Sequence, residues 1–392
     1  MVSPKSAASV LEGLATLCKT HGYVYAVGTA GQTVYNYGAL GAELRRNLQA
    51  EWWQSTVTTQ DNVFGIENAI QQSLPAPDVH RTPGEAVGET MQTGHQSLPQ
   101  HLQHGVLSHY HSSLQLLNNK LPFGLAEVGR CFPRRTAEEE RFLYSTREMT
   151  AMSMLYFVPP KKSGAWFDLF QRQRMQWWRK FASSPSSFTV VDTSDAEDMT
   201  YPTVNIQFAF PWGVDTVERI TLRDDSDLLD LEKKTGLSCQ GKDGRKLVVP
   251  HVLEMETYLE WASLVYLLDG LTQVTRTDVE QKILRLHCRL APYKVAVLPG
   301  RGTASQLREI TDYIARDLRT AGIPCWYSAD PQHSNEQQYT WYDEMGVPFS
   351  VAVNENTIKT GITLVRNRDT TIKEQVHISQ LQHMLLRYMQ AD

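Results

Sequence analysis

The chain has no excess of basic residues. Its 392 residues carry 38 Lys and Arg against 43 Asp and Glu, which gives a formal net charge of −5. The field of the whole molecule therefore repels nucleic acid, so any contact with DNA or RNA has to come from a local basic surface. The sequence also lacks an apolar run of the roughly 20 residues that cross a bilayer, and we expect no membrane partner.

Cysteine pairs and metal-binding spacings are missing as well. The chain has five widely separated cysteines: Cys18, Cys131, Cys239, Cys288 and Cys325. An odd number without the close spacing of a zinc site predicts reduced, buried thiols. The 12 histidines form no HxxxH pair on a predicted helix. We therefore expect no metal, no other cofactor and no catalytic residue of these types.

The spacing of apolar residues along the sequence predicts where helices, strands and loops lie. In GALGAELRRNLQAEWW, residues 38–53, an apolar side chain recurs at every fourth position: Leu40, Leu44, Leu48 and Trp52. This spacing predicts a helix that begins after a glycine turn and buries its Leu and Trp side chains. Residues 71–100 are rich in Pro, Gly, Gln and Ser and predict a loop.

A second apolar stripe follows that loop, within residues 101–121. Its members are Leu102, Val106, Tyr110, Leu114 and Leu117. An isolated amphipathic helix needs a covering surface, and a second copy of the chain can supply it, so these residues are candidates for a dimer interface. Packing on the helix's own domain is the alternative, and the pattern does not decide between the two.

The rest of the chain predicts two units. Strand-like runs such as MSMLYFV and TVNIQFAF alternate with helical segments up to about residue 290 and indicate an antiparallel sheet flanked by helices, an α+β domain. Beyond LAP, at 290–292, YKVAVLP, SQLREITDYIARDLRTAG, PFSVAVN and VHISQLQHMLLRYM alternate as strands and helices of a compact α/β domain. We expect its sheet to be mostly parallel.

Four collinear segments resemble signatures of the glycyl-type class II aminoacyl-tRNA synthetases. They are YNYGALGAELRRNLQAEWW, LAEVGRCFPRR, TREMTAMSMLYFVPP and VVPHVLEMETYLEW, and the C-terminal unit resembles the anticodon-binding domain of the same enzymes. The resemblance implies a class II synthetase-like domain over residues 1–290, with a helical dimerisation insertion at about 66–121. It implies an anticodon-binding-like α/β domain over residues 291–392.

The residues that would bind substrate in such an enzyme are replaced here. The second signature of the family places an Arg on the α-phosphate of ATP, and Pro133 stands at that position, while its Glu has become Arg135. Trp261 stands where the third signature has the Arg for the γ-phosphate, a role that needs a planar guanidinium. Ser153 and Leu155 occupy positions that hold the substrate's ammonium with acidic groups. The chain is therefore not expected to activate an amino acid.

A closer resemblance is to the accessory subunits of the mitochondrial replicative DNA polymerase, polymerase gamma. It is carried by ELRRNLQAEWW, LQLLNNKLPFGLAEVG, QRQRMQWWRKFASSPSSF, GRKLVVP and RNRDTTIKEQVHISQL. It implies a non-catalytic homodimer that binds the polymerase catalytic subunit, largely through the C-terminal domain, and strengthens its hold on double-stranded or primer-template DNA. An active glycyl-tRNA synthetase and a stand-alone tRNA-binding regulator are the alternatives.

The same resemblance implies a location in the mitochondrial matrix, at the nucleoid. The opening MVSPKSAASV is too short for an Arg-rich amphipathic targeting peptide. A presequence is therefore expected to be absent from this chain or already removed.

Two sets of residues are candidates for macromolecular contacts. Basic residues near RQRMQWWRKF and the Pro-Pro turn before it can neutralise phosphates without reading sequence: Arg172, Arg174, Arg179, Lys180, Lys161 and Lys162. Trp177 and Trp178, in the same segment, fit a core better than DNA, because a duplex exposes no base faces for stacking. The polymerase-binding candidates lie around GITLVRNRDTTIKE: Gly361, Arg366, Arg368, Asp369 and Lys373.

Overall fold

The computed structural model describes residues 4–27, 34–69, 98–133, 141–144, 146, 148–193, 200–276, 279–300, 305–327 and 334–390. The helices in these ranges are α1 (Pro4–Thr20), α2 (Ala39–Trp53), α3 (Gln103–Ser108), α4 (Tyr110–Leu116), α5 (Ser163–Lys180), α6 (Ser226–Thr235), α7 (Leu259–Gly270), α8 (Ser305–Thr320), α9 (Asn335–Glu344), α10 (Glu355–Thr360) and α11 (Ile378–Gln390). None of the described helices is long and apolar enough to cross a membrane.

The strands of the first part of the chain are β1 (Val24–Val27), β2 (Val34–Tyr37), β3 (Val63–Gly65), β4 (Phe123–Cys131), β5 (Met149–Val158), β6 (Phe188–Asp192), β7 (Thr203–Phe210), β8 (Gly213–Arg223), β9 (Gly241–Asp243), β10 (Lys246–Val248), β11 (His251–Tyr258), β12 (Leu271–Arg276) and β13 (Val279–Leu284). Those of the last part are β14 (Val295–Pro299), β15 (Cys325–Tyr327), β16 (Phe349–Val353), β17 (Ile362–Asn367) and β18 (Lys373–His377).

A seven-stranded sheet forms the centre of the first part, in the order β3-β4-β5-β11-β8-β7-β6. All neighbours are antiparallel except β3 and β4. One face carries Met154 and Met255 and packs against α2, α5 and α7, while the opposite face carries Leu125 and Leu155 and packs against α3 and α4. Because both faces of β5 are covered, its sequence MTAMSMLYFV is almost continuously apolar instead of alternating.

The glycine turn before α2 is a consequence of close packing. Leu40, Leu44, Leu48 and Trp52 are buried as the fourfold spacing predicts. A Cβ at Gly41 would collide with the carbonyl oxygen of Tyr23, so the backbone of the first turn of α2 approaches the preceding segment as closely as only glycine permits.

The C-terminal part contains a five-stranded sheet in the order β15-β14-β16-β17-β18. The pairs of β14 with β15 and with β16 are parallel, whereas β16 with β17 and β17 with β18 are antiparallel. The expectation of a mostly parallel sheet is therefore wrong: the sheet is mixed. In α8, Leu307, Ile314 and Leu318 face this sheet, and the helix is followed by Gly322 at φ +78°.

The two parts share a core. Ala296, Leu298, Tyr342 and Met345 of the C-terminal part belong to the same buried cluster as α2, α5 and α7. A second, smaller core lies between the C-terminal sheet, α8 and α11. The predicted boundary at 290–292 therefore separates two sheets that are joined by a common packed interior.

Candidate functional site

The α3 and α4 face of the large sheet carries the positions that the synthetase resemblance assigns to substrate. Glu127 on β4, Ser153 on β5 and Glu256 on β11 stand side by side in the ladder. Ser153 and Leu155 are both buried in this face. The flanking strands β4 and β11 thus carry carboxylates, whereas the central strand β5 has Ser153 at a position where the resemblance expects an acidic group.

Groups of the chain itself satisfy both carboxylates. Glu127 accepts hydrogen bonds from the backbone N and Nδ2 of Asn68, each at 2.9 Å. The Oδ1 of Asn68 lies 3.0 Å from Nε2 of His109 at the junction of α3 and α4. Glu256 accepts from the hydroxyl of Tyr258 at 3.2 Å and lies 3.5 Å from Nδ1 of His101, whose pKa is raised by this contact. The acidic row is therefore hydrogen-bonded by side chains and backbone groups of the chain itself.

Apolar and aromatic side chains pack at the end of the sheet beside this row. Trp261 stacks on Tyr144 with ring centroids 5.1 Å apart, meets Tyr258 edge-on at 4.6 Å, and donates Nε1–H to the Tyr144 carbonyl at 3.1 Å. Leu102, ahead of α3, packs with Tyr258 and Met149 over the end of the sheet. The position expected for a phosphate-binding guanidinium is an indole held by one stacked ring, one edge-on ring and a hydrogen bond from its nitrogen.

Glu260, in the third signature segment, has a structural partner as well. It is buried and accepts from Nη1 of Arg45 at 2.8 Å and from the backbone N of Thr150 at 2.9 Å. Arg45 also lies over the ring of Tyr37, 4.2 Å from its centroid. Pro133 of the second signature is described, whereas Arg135 lies outside the described residues.

The predicted DNA-binding residues divide between the surface and the interior. Lys161 and Lys162 precede α5, and Arg172, Arg179 and Lys180 are exposed along it. We call these five residues the α5 surface: Lys161, Lys162, Arg172, Arg179 and Lys180. Parts of it are already engaged, because Lys162 Nζ lies 2.7 Å from Asp243 and Arg179 Nη2 donates to the Phe188 carbonyl at 3.0 Å.

Arg174 does not belong to that surface, and its assignment to DNA is corrected. Its side chain is buried, with Nε 2.6 Å from Glu218, and its guanidinium lies 4.7 Å from the ring of Trp177. Trp178 donates Nε1–H to the same Glu218 at 2.5 Å and is fully buried. The arginine neutralises a buried carboxylate in the core.

The stripe predicted for a dimer interface is buried inside its own protomer. The predicted continuous helix is broken at His109 into α3 and α4. Val106, Tyr110 and Leu114 pack on the sheet, and Leu102 packs at its end. The own-domain alternative therefore holds for these four side chains, and Leu117 is partly buried against the same cluster. None of these five is a free interface residue.

In the C-terminal part, two predicted partner-binding arginines are also internal. Arg366 is buried and donates Nη1 and Nη2 to the two oxygens of Asp343, at 2.8 and 2.9 Å. Asp343 lies in α9. Arg368 is buried and donates to the carbonyls of Leu284, Leu286 and Gly346, each at 3.0 Å. Both assignments are corrected, since these side chains hold the fold.

The three other partner-binding candidates lie around β17 and β18. Gly361, at φ +72°, ends α10, and a Cβ there would collide with His377. Asp369 lies between β17 and β18 and pairs with Arg368. Asp369 and Lys373 are exposed, and Lys373 Nζ lies 5.1 Å from the ring centroid of Tyr339.

The structure also brings together cations that our sequence reasoning did not select. Lys242, Arg245 and Lys246 are exposed on the short hairpin of β9 and β10. The sequence signal was three basic residues within GKDGRK around a Lys-Asp-Gly-Arg turn.

Comparisons with known proteins accord with this geometry. The family model "Anticodon binding domain" matches residues 294–388. The chain is 39% identical to "DNA polymerase subunit gamma-2, mitochondrial" of Xenopus laevis, over 92% of this chain and 82% of the relative, and 36% identical to "DNA polymerase subunit gamma-2" of Mus musculus, over 90% and 83%. It is 26% identical to the glycine–tRNA ligase of Borreliella burgdorferi, over 95% and 96%.

The fold likewise matches a solved class II enzyme. The prolyl-tRNA synthetase of Cryptosporidium parvum, solved with L-proline and AMP, superposes with a TM-score of 0.72 at 12% identity, over 100% of this chain and 80% of that one. The predicted two-part class II synthetase-like fold is thereby confirmed. The chain belongs to the family of DNA polymerase subunit gamma-2, non-catalytic polymerase accessory subunits with the fold of a class II aminoacyl-tRNA synthetase.

Proposed function

We propose that the chain is a processivity subunit that binds the catalytic subunit of mitochondrial DNA polymerase gamma and primer-template DNA in the mitochondrial matrix. The observation that carries its non-catalytic character is Trp261, stacked on Tyr144 where a synthetase needs a phosphate-binding arginine. A molecule without that chemistry works by holding other macromolecules. Two linked contacts, one to the polymerase and one to DNA, slow net dissociation without any reaction of their own.

The α5 surface supplies the DNA contact in this proposal. Helix α5 has 18 residues, and at 1.5 Å per residue it is about 27 Å long. At about 3.4 Å per nucleotide along one strand, that length spans roughly eight phosphates. Lysine and arginine side chains along one helix face neutralise phosphates but do not read base edges. We therefore expect binding without sequence preference that weakens steeply as salt rises.

The C-terminal part supplies the polymerase contact. Of the predicted residues there, Asp369 and Lys373 are exposed, next to Ile372, which is 59% exposed at the turn between β17 and β18. In this proposal Ile372 adds apolar area that a protein partner buries, and the charged residues beside it form a polar rim. In this proposal the turn between β17 and β18 of the anticodon-binding-like domain binds the polymerase catalytic subunit.

We propose further that the chain is a homodimer, but through a different surface from the helical stripe. The hairpin of β1 and β2 exposes Tyr25, Val27 and Val34 at 41%, 48% and 57%, beside the glycine turn of α2. Val27 and Val34 are direct cross-strand partners. Changing both to Lys should convert the dimer into a monomer in sedimentation velocity, while the same substitution of Val214 should leave it a dimer.

The proposed function is tested by primer extension with the polymerase gamma catalytic subunit. Adding the chain should lengthen products, and the salt concentration that the reaction tolerates should rise. Glycine-dependent pyrophosphate exchange should be undetectable. Unchanged product length would refute the proposal; exchange activity would favour a synthetase, and a strong preference for folded tRNA over duplex DNA in competition would favour a tRNA-binding regulator.

A further inference from the structure

The hairpin of β9 and β10 concentrates positive charge at one end of the α5 surface. Its residues, GKDGRKLV, include Lys242, Arg245 and Lys246 against the single carboxylate of Asp243. The three cationic side chains are exposed, and Asp243 pairs with Lys246 in the ladder register. This hairpin adds local charge to a chain whose net charge is −5.

Two neighbouring segments bring further cations to the hairpin. Lys120 forms an isolated bridge with Lys242, whose backbone N–H and carbonyl bond to Asn119 at 2.5 Å and to Leu121 at 3.0 Å. On the α5 side, Lys162 Nζ reaches Asp243 at 2.7 Å. The backbone bonds and this ion pair hold Lys120, the hairpin and the start of α5 together as one surface.

The cations themselves are not needed to hold the hairpin. Its position is fixed by backbone hydrogen bonds, by Asp243 and by Gly241, whose position leaves no room for a Cβ beside Leu121. Within the described part of the chain, Lys120, Lys242, Arg245 and Lys246 form no ion pair. Like charges placed together repel one another, and a polyanion relieves that repulsion.

We propose that this hairpin and Lys120 bind the phosphate backbone of duplex DNA, as a continuation of the α5 surface. The inference rests on the proposed function and extends its DNA contact by four residues: Lys120, Lys242, Arg245 and Lys246. DNA is a better match than an acidic protein, because exposed cations continue from the hairpin to Lys161 and Lys162, just before α5, and reach Arg179 and Lys180 at the other end of a helix about 27 Å long. A linear polyanion can contact cations that are spread over such a length.

The test measures the salt dependence of binding to a mixed-sequence duplex of about 40 base pairs, long enough to cover the row. The hairpin variant carries four substitutions: Lys120→Gln, Lys242→Gln, Arg245→Gln and Lys246→Gln. The matched control removes the same charge from exposed sites of the C-terminal part: Arg308→Gln, Arg316→Gln, Lys359→Gln and Arg387→Gln. The surface variant replaces four residues of the α5 surface: Lys161→Gln, Arg172→Gln, Arg179→Gln and Lys180→Gln.

The slope of log affinity against log salt is negative, and each lost phosphate contact should reduce its magnitude by about 0.9. The magnitude of the slope should therefore be smaller by up to about 3.6 in the hairpin variant. The control should keep the wild-type slope. Thermal unfolding midpoints identify a variant that fails to fold. If the fourfold hairpin variant does not fold, the single substitution Arg245→Gln, at the hairpin turn, is measured in its place, and it should reduce the magnitude of the slope by about 0.9.

Three results distinguish failure of this inference from failure of the proposed function. An unchanged slope in the hairpin variant, with a reduced slope in the surface variant, overturns the inference and leaves the proposed function standing. A hairpin variant that keeps its affinity for duplex DNA but loses the polymerase catalytic subunit in co-purification makes the hairpin a protein contact and also overturns it. A wild-type chain that neither binds duplex DNA nor lengthens products refutes the proposed function itself.

Discussion

Two glycines in the same left-handed conformation end helices and differ in what surrounds them. Gly236 follows α6 at φ +71° with open space beside it, whereas Gly361 follows α10 at φ +72° with His377 against it. Changing Gly236 to Ala should cost about 1 kcal/mol of unfolding free energy from backbone strain alone. Gly361→Ala should cost about 2 to 3 kcal/mol, because steric repulsion adds to the strain.

Urea unfolding of both variants measures the difference. The additional loss at Gly361 should disappear when His377→Ala is combined with it, since the collision partner is then gone. Equal losses at the two glycines would show that His377 moves aside freely. A larger loss at Gly361 would show that this glycine is needed for packing against His377 at the end of β18, a structural role distinct from the partner contact that the sequence predicts.

Lys294 is a buried lysine immediately before β14. Its Nζ donates to the carbonyls of Arg289 and Ala291, both at 2.8 Å. Burial lowers its pKa to about 8, against the influence of nearby Cys288 and Glu51. Since the ordinary pKa is 10.5, the unfolded chain binds more protons than the folded one between these two values, so the contribution of this residue to stability rises with pH across that window.

The prediction is a pH-dependent difference between wild type and Lys294→Met. Between about pH 7.5 and 9.5 the wild type should gain roughly 2 kcal/mol of unfolding free energy relative to the variant, because the tyrosines and other titrating groups contribute equally to both proteins. Urea midpoints at several pH values provide the measurement. A constant difference would mean that Lys294 keeps an ordinary pKa in the folded state.

At the scale of single residues, the sequence identifies which side chains are charged but not whether each faces solvent or the core. Arg172 and Arg174 are two positions apart on α5, and one is exposed while the other is paired with Glu218 in the core. Which arginine is internal depends on a carboxylate on β8, 44 residues away. For Trp261, by contrast, the sequence alone was sufficient, because it shows a tryptophan where the resemblance expects a phosphate-binding arginine.

Helices α3 and α4 cover the sheet face that carries the degenerate substrate positions. Leu114 on α4 is buried in that contact, whereas Leu116, two residues further on, is 80% exposed. Leu114→Ala should lower the unfolding free energy by about 3 kcal/mol through the cavity that it leaves. Leu116→Ala should change it by less than about 0.5 kcal/mol.

The same pair of variants separates a protomer core from a dimer interface. If Leu114 packs within its protomer, its effect on the urea midpoint should be the same at any protein concentration. A loss that grows on dilution would place Leu114 between subunits and would overturn the own-domain packing described above.

At the scale of elements, periodicity was sufficient where one helix packs on one surface. The fourfold spacing in α2 is confirmed, and the segment SQLREITDYIARDLRTAG contains the helix α8, which buries Leu307, Ile314 and Leu318. It did not show the break at His109, because the apolar spacing continues without interruption from α3 into α4. Strand direction was equally hidden: β17 reads as an apolar strand in either direction, and its antiparallel pairing depends on the connection before it.

The whole molecule is held together across the boundary between its sheets. Asn47 on α2 donates to the carbonyls of Leu290 and Ala291, and Arg289 forms an ion pair with Glu51 at 2.7 Å. From the other side, the hydroxyl of Tyr23 donates to the Met345 carbonyl at 2.9 Å. Composition and turn residues mark this boundary in the sequence, but they cannot show that the linker is fixed in place by both parts.

Arg368 gives the sharpest test of this coupling, because its side chain, just after β17, donates to three carbonyls. Two of them belong to the other part of the chain: Leu284 at the end of β13 and Leu286 two residues later. Arg368→Met leaves buried acceptors without donors, and the unfolding free energy should fall by about 2 to 4 kcal/mol. Wild type should unfold in one transition, with tryptophan fluorescence and mass-spectrometric labelling of the buried thiol of Cys325 changing at the same urea concentration.

In the Arg368→Met variant, labelling of Cys325 should precede the fluorescence change, since the C-terminal sheet then loosens first. Arg387→Met, at an exposed site on α11, should retain the single coincident transition. Separate transitions already in the wild type would show that the shared core does not couple the two parts. The polymerase and DNA contacts proposed above would then lie on independently moving units, whereas one rigid body lets a contact at the C-terminal turn fix the position of α5 on the template.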